Sequence, residues 1–147
     1  MSQRQVSGTA IVPATPSRIF ALLTDPASHP LLDGSGSVRA SRSRGPQQLE
    51  LGSRFGMDMK LGMPYRIVNT VVEFDADRLI AWRHAMGHRW RWQLAPAGDD
   101  HTEVTETFDW STAHVPWLLS ASPIPRKNRD AIDSSLQRLI SLVSADR

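Results

Sequence analysis

The sequence predicts an α+β fold: a mostly antiparallel sheet of about seven strands, with helices segregated from it. Three observations carry this. Strand signals recur at short spacing from residue 37 to Thr112. A single stretch of period 3.6 lies near the end of the chain. One proline-marked helix start separates the opening strand from the rest of the sheet. Strands grouped together, with helices before and after them, describe an α+β design rather than alternating βαβ units.

The elements follow in order. "QRQVSGTAIVP" (Gln3 to Pro13) is a mildly alternating strand that ends at proline. In "ATPSRIFALLTDP", Thr15 is placed as N-cap and Pro16 as first helical residue, where a missing N–H costs nothing. Ile19, Phe20, Leu22 and Leu23 make the apolar face, Pro26 ends the helix, and "DPASHPLLDG" offers one more short helical piece. "SVRASRSR" is polar and arginine-laced, which suits an exposed or edge strand. "GSRFGMDMKLG" alternates, with Phe55, Met57 and Met59 on one side and Arg54, Asp58 and Lys60 on the other. "YRIVNTVVEFD" is long and β-branched, and "RLIAWRHAMG" and "HRWRWQLAPAGDDHTEVTETFDW" complete the sheet.

After Ser111 the pattern changes. "AHVPWLLSASPIP" is apolar but broken by Pro116, Pro123 and Pro125, so it cannot be one straight helix. From about Arg126 to Val143 the period is 3.6: Ile132, Leu136, Leu139, Ile140 and Val143 form one stripe to bury. No internal repeat and no linker divides the chain, so residues 1–147 read as one domain.

Composition narrows the function. Hydrophobic content of 40% with 22% charged residues is that of a globular protein rather than a disordered one. Seventeen basic against fifteen acidic residues leave +2, too little to predict a nucleic-acid partner. With no cysteine there is no disulfide, thiolate metal site or cysteine nucleophile. No apolar run reaches membrane-spanning length, and "MSQRQVSGTAIVPATP" lacks the apolar segment of an export signal, so the expected location is cytoplasmic.

The hairpin from His88 to Trp110 holds three of the five tryptophans. Its loop "APAGDD" sets a register in which Ala95 faces Glu103, Trp92 faces Glu106, Trp90 faces Phe108 and His88 faces Trp110. On the other surface Arg91 meets Thr107 and Arg89 meets Asp109, a favourable cross-strand charge pair. The tryptophans then point inward, and so does Glu106, between Val104 and Phe108. A carboxylate among aromatics is costly unless paired, hydrogen-bonded or protonated. A solvent-reached cavity tolerates it where a solid core does not; a β-bulge, by contrast, would turn it outward.

On the same parity "LIAWRHAM" brings Trp82 and His84 inward, unless the turn at Gly87 shifts the parity and Arg83 faces in instead. Tyr65 and Asn69 take the inner parity of "YRIVN". These residues, with Phe55, Met57, Met59, Trp90, Trp92, Glu106, Phe108, Trp110 and, at a rim formed by Val115 to Ile124, Trp117, are the candidate ligand-binding set. Plain core is the competing account of the aromatics. His84 and His88 lie four apart, a metal spacing on a helix, but here on strand and turn with no third ligand; no metal is expected. The arginines of "RASRSR" suit a solvated strand face better than a phosphate site. No glycine-rich phosphate loop and no serine–histidine–acid arrangement stands out, and no cofactor is expected.

Taken in order, "VPATPSRIFALLTDP", "LGSRFGMDM", "VVEFDADRLIAWR", "TEVTETFDWS" and "KNRDAIDSSLQRLISLV" resemble the polyketide cyclase/dehydrase and lipid-transport family of the START-like (Bet v 1-like, SRPBCC) superfamily. The resemblance covers nearly the whole chain. It implies a helix-grip fold, a curved antiparallel sheet wrapped around a long C-terminal helix. The superfamily holds lipid carriers, hormone receptors, cyclases, oxygenase subunits and chaperone activators, so the fold leaves activity open. The expected function is binding of a small hydrophobic or amphipathic ligand (lipid, polyketide or isoprenoid-like) between sheet and helix. One alternative is a cyclase or dehydratase using Glu106 or His84 for acid–base work. Another is a ligand-free regulatory module, with homodimer formation left open.

Overall fold

The computed structural model describes residues 4–33, 38–41, 48–61 and 63–145. Strand β1 (Gln5–Val12) leads into helix α1 (Pro16–Leu23), a 3-10 turn (Pro26–Ser28) and the four-residue helix α2 (His29–Leu32). Strands β2 (Val38–Ser41), β3 (Arg54–Leu61), β4 (Met63–Asp75), β5 (Leu79–His84), β6 (Arg89–Pro96) and β7 (Thr102–Asp109) follow. The short helix α3 (Pro116–Ala121) and the long helix α4 (Ile124–Ala145) come last. The strands form one antiparallel sheet in the order β1-β7-β6-β5-β4-β3-β2. The α+β expectation holds, and "SVRASRSR" does supply an edge strand, β2; residues 42–47 of that region lie outside the described set.

Local signals act as their chemistry requires. Thr15 caps α1 by accepting the Arg18 N–H at its hydroxyl, with Pro16 at the first helical position. Helix α4 begins at Ile124, two residues before the expected Arg126, because Pro125 sits in the first turn, where its missing N–H removes no intrahelical bond. The segment before it, rather than staying irregular, closes one short turn of helix between Pro116 and Pro123.

The stripe of α4 is buried as predicted: Ile132, Leu136, Leu139 and Val143 are enclosed, and Ile140 packs at the margin. The helix lies on β1 and β7. Gly8 of β1 makes this possible. A Cβ there would stand 2.8 Å from Ile132 Cγ2 and 3.0 Å from Asp133 Oδ1, so only glycine lets α4 settle this close. At the far end the Arg18 guanidinium donates to the Val143 carbonyl at 3.1 Å, tying α1 to the last turns of α4.

The convex face carries an ion network that differs from the sequence expectation. Arg89 stands opposite Asp109 in the ladder but donates to Glu73 at 2.9 Å. Arg91 binds Glu73 with two nitrogens and reaches Asp109 at 3.3 Å. The reason is Ala81, which lies between Glu73 and Arg91 in the cross-strand row. Its methyl leaves room for the two long side chains to meet above it.

Leu139→Ala should cost about 2–5 kcal/mol, the range for emptying a buried leucine site, and Gly8→Ala should cost about 1–3 kcal/mol by forcing α4 off the sheet. Denaturant titration of the two variants measures both; unchanged midpoints would mean that α4 does not press on β1.

Candidate functional site

The hairpin β6–β7 keeps the register expected from its loop, from Ala95 opposite Glu103 through Trp90 opposite Phe108. With β1 and β5 added, one inward-facing row runs Gly8, Glu106, Trp92, Ile80 across four strands. The next runs Val6, Phe108, Trp90, Trp82. No bulge interrupts β7, so Glu106 stays inside at 5% exposure.

Around these rows the aromatic side chains are in contact. Phe108 stacks on Trp110 at 5.5 Å between ring centres and touches Trp90 at 5.0 Å. Trp82 meets Phe55 edge-on at 5.5 Å. Met57 is buried with them, whereas Met59, Trp82 and Trp90 are only partly enclosed. Asn69 is buried opposite both Phe55 and His84, and Tyr65, opposite Met59, is 40% exposed. Trp117 departs from the set. It stands on the outward side of α3 at 65% exposure.

Four buried polar side-chain atoms have no hydrogen-bond partner among the described residues: Trp92 Nε1, Glu106 Oε1, His88 Nδ1 and Arg89 Nε. The first two belong to facing residues on the inner surface. An N–H donor and a carboxyl oxygen on facing residues are thus both left open in the interior. Burial pushes the Glu106 pKa well above the ordinary carboxylate range, and the charge of Asp33, just after α2, pushes the same way. Tyr65 is also raised, by burial first and then by Asp33.

A histidine pair lies at one end of the rows. His84 and His88 stack at 4.5 Å, and His88 touches Phe108 at 5.3 Å. The His84 Nδ1 accepts the Met86 N–H, which fixes it as the unprotonated nitrogen. Burial, then the neighbouring His84, holds the His88 pKa down at about 4, and burial also lowers that of His84. Both rings are neutral at physiological pH. No cluster of three metal-ligating residues is found among the described residues.

Sequence reasoning overlooked three contributors. His29 stacks on Trp82 at 4.7 Å and makes a 2.9 Å hydrogen bond to the Leu23 carbonyl; burial lowers its pKa to about 4. Its neighbours come from distant strands, so only the tertiary fold reveals it. Asp33 is likewise invisible before α2 is placed. His88 was within reach, since the hairpin register already turned it toward Trp110. An open depression of about 500 Å³ between α2 and the end of α4, lined by Leu31, Arg138 and Leu142 among others, holds none of the unpartnered atoms.

A model of the family described as polyketide cyclase / dehydrase and lipid transport matches residues 3–144. An uncharacterized protein of Mycobacterium tuberculosis, Rv0088, is 43% identical over 110 residues, which cover 74% of this chain and 49% of the relative; the chain spans about half the length of the curated relatives it matches. A START superfamily protein from Mycobacterium smegmatis shares the fold with a TM-score of 0.73 at 16% identity, covering 97% of this chain and 99% of the other. The AHSA1-like protein from Aeromonas hydrophila does so with a TM-score of 0.65 at 19% identity, covering 94% and 93%.

The raised pKa of Glu106 gives a signed pH dependence. The unfolded chain releases this proton near pH 4.3, roughly the unperturbed value, while the folded chain keeps it to higher pH. The resulting stability is full below the unfolded value and is lost as pH rises through the folded-state pKa. Glu106→Gln removes the titration, so the variant should gain on the wild type between acid and neutral pH. Denaturation midpoints across that interval test this. The opposite trend would mean a carboxylate stabilised by a cation.

Proposed function

We propose that this chain, which belongs to the polyketide cyclase / dehydrase and lipid transport family, binds a small amphipathic molecule on the inner face of its sheet. The observation that carries the reading is the pair of unpartnered polar atoms on Trp92 and Glu106. Buried polar groups are nearly always satisfied, and one left open costs about 1–3 kcal/mol. A ligand oxygen that accepts from Trp92 Nε1, with a protonated Glu106 donating or accepting beside it, satisfies both. A carbonyl or hydroxyl head group has that chemistry. The apolar body of the ligand would lie along Trp90, Trp82, Phe108 and the adaptable Met57 and Met59, with Asn69, Tyr65 and His84 as further polar contacts.

Entry has a natural place. Helix α3 buries none of its residues and has no side-chain N-cap. Its Ser120 hydroxyl accepts the indole N–H of Trp110 at 2.8 Å, the bond that joins it to the aromatic rows. Opening α3 breaks the bond from Trp110 to Ser120 and frees that end of the aromatic rows, a local motion of the kind that gates ligand sites. Hydrogen exchange should therefore be fast from Val115 to Ile124 in the free protein and slower once ligand is bound; equal rates in both states would count against a gate.

A second reading, an enzyme of the cyclase or dehydratase kind, is favoured by one feature. Glu106 favours its acid form while His88, whose Nδ1 has no partner, is held neutral, and environments that push pKa values apart in this way suit acid–base work. Turnover of a bound polyketide-like carbonyl compound, lost in Glu106→Gln, would establish it.

For the binding reading, a fluorescent fatty-acid-like probe should bind the native protein and shift its tryptophan emission. Glu106→Gln or Trp92→Phe should weaken binding about tenfold, the effect of one hydrogen bond. A native protein that ignores the probe, or variants that bind as well as wild type, would sink the reading.

A further inference from the structure

Helix α3 is held inward by two side chains, Leu119, packed at the core margin, and Ser120, bonded to Trp110. The opposite side carries Trp117 at 65% and Leu118 at 53% exposure. Met86, Val115 and Ile124 are exposed beside it. The turn that bears Met86 is pressed against the approach to α3. The Gly87 carbonyl accepts the Thr112 hydroxyl at 2.6 Å, the Met86 carbonyl accepts the His114 N–H at 3.0 Å, and a Cβ on Gly87 would stand 2.6 Å from the Thr112 oxygen. These contacts bring the turn with Met86 to the approach to α3, so the apolar side chains gather at one end of the molecule.

The charge around the tip is mostly positive: Arg126, Lys127 and Arg129 are all exposed, and the first acidic residue after Asp109 is Asp130, next to Arg129. No ion pair joins these three to an acidic group among the described residues. Arg126 and Lys127 lie in the first turn of α4, which has no acidic residue. Cations at a helix N-terminus work against the helix dipole, so this arrangement costs stability and concentrates positive potential at the tip.

We propose that this tip docks on an anionic lipid bilayer: Trp117 and Leu118 enter the headgroup–acyl boundary, and Arg126, Lys127 and Arg129 meet the lipid phosphates. Tryptophan is the side chain best suited to that boundary. A small apolar insertion is weak alone and becomes effective when basic residues add a second attraction. A protein partner fits less well. A stable protein interface takes roughly 20–30 residues a side, far more than this tip presents, whereas a bilayer demands no matching shape. The proposal concerns the outer face of α3 and stands whether or not the inner face binds a ligand.

Vesicle sedimentation tests it, with phosphatidylcholine alone compared with an equimolar mixture of phosphatidylcholine and phosphatidylglycerol. The protein should bind the anionic vesicles, release them as salt is raised and show blue-shifted tryptophan emission when bound. Trp117→Ser with Leu118→Ser should abolish binding and the shift. Reversing Arg126, Lys127 and Arg129 to Glu should weaken binding at least about tenfold. All five positions are exposed, so circular dichroism should match the wild type. Failure of the native protein to bind anionic vesicles at low salt overturns the proposal, as does binding that survives the serine variant. A self-association that the serine variant dissolves, with no vesicle binding, overturns it in favour of a second copy of the chain.

Discussion

A β-strand cannot bury Val104 and Phe108 and spare Glu106, because its side chains alternate strictly between two faces. That constraint organises the interior. The ladder of β6 and β7 runs without a bulge, and on the convex side the Arg91–Glu73–Asp109 network occupies the alternate positions. Slipping the register by one residue would move that network inside and Trp92 and Phe108 outside. The acid is inside because everything else about the hairpin puts it there.

The cost is then distributed. Glu106 meets a glycine on one side and an indole on the other, with Ile132 and Leu136 of α4 seated over Gly8. None of these supplies a cation. Burial raises the pKa of the carboxyl, so the inner face favours the neutral acid over the ion. A group in that state can donate or accept, and the unpartnered indole N–H across the ladder adds a second donor. This polarity sits on an otherwise apolar surface, which is how small-molecule sites obtain orientation without losing apolar contact.

Much of this was legible in the sequence, for identifiable reasons. The order of elements follows from period and punctuation. The hairpin register follows from a short loop between two strongly alternating runs, and with it the inward placing of Trp92, Glu106 and Phe108. What period cannot convey is which distant element comes to lie over a given row. His29 reaches the site from a helix of four residues, with Asp33 just beyond its end, and that helix carries almost no periodic signal. The partner of Arg91 lies two strands away, past Ala81, and depends on sheet order and side-chain length together. The sequence places Trp117 at a rim facing the ligand because its segment is apolar and broken by prolines; the pins at Leu119 and Ser120, which turn it outward, exist only once α3 has formed.

The sheet order also bears on how the chain reaches this state. Strands β2 to β7 pair with their sequence neighbours, but β1 pairs only with β7, so that Ser7 bonds Thr107 across 100 residues. Closing so long a loop is entropically expensive until the intervening strands have shortened it. Strand β1 is thus the last that can find its place. Until then β7 has one free edge, α4 lacks the glycine surface on which it rests, and Glu106 is open to water. Folding of this chain is gated by a non-local contact, which favours a slow, concerted final step over piecewise assembly.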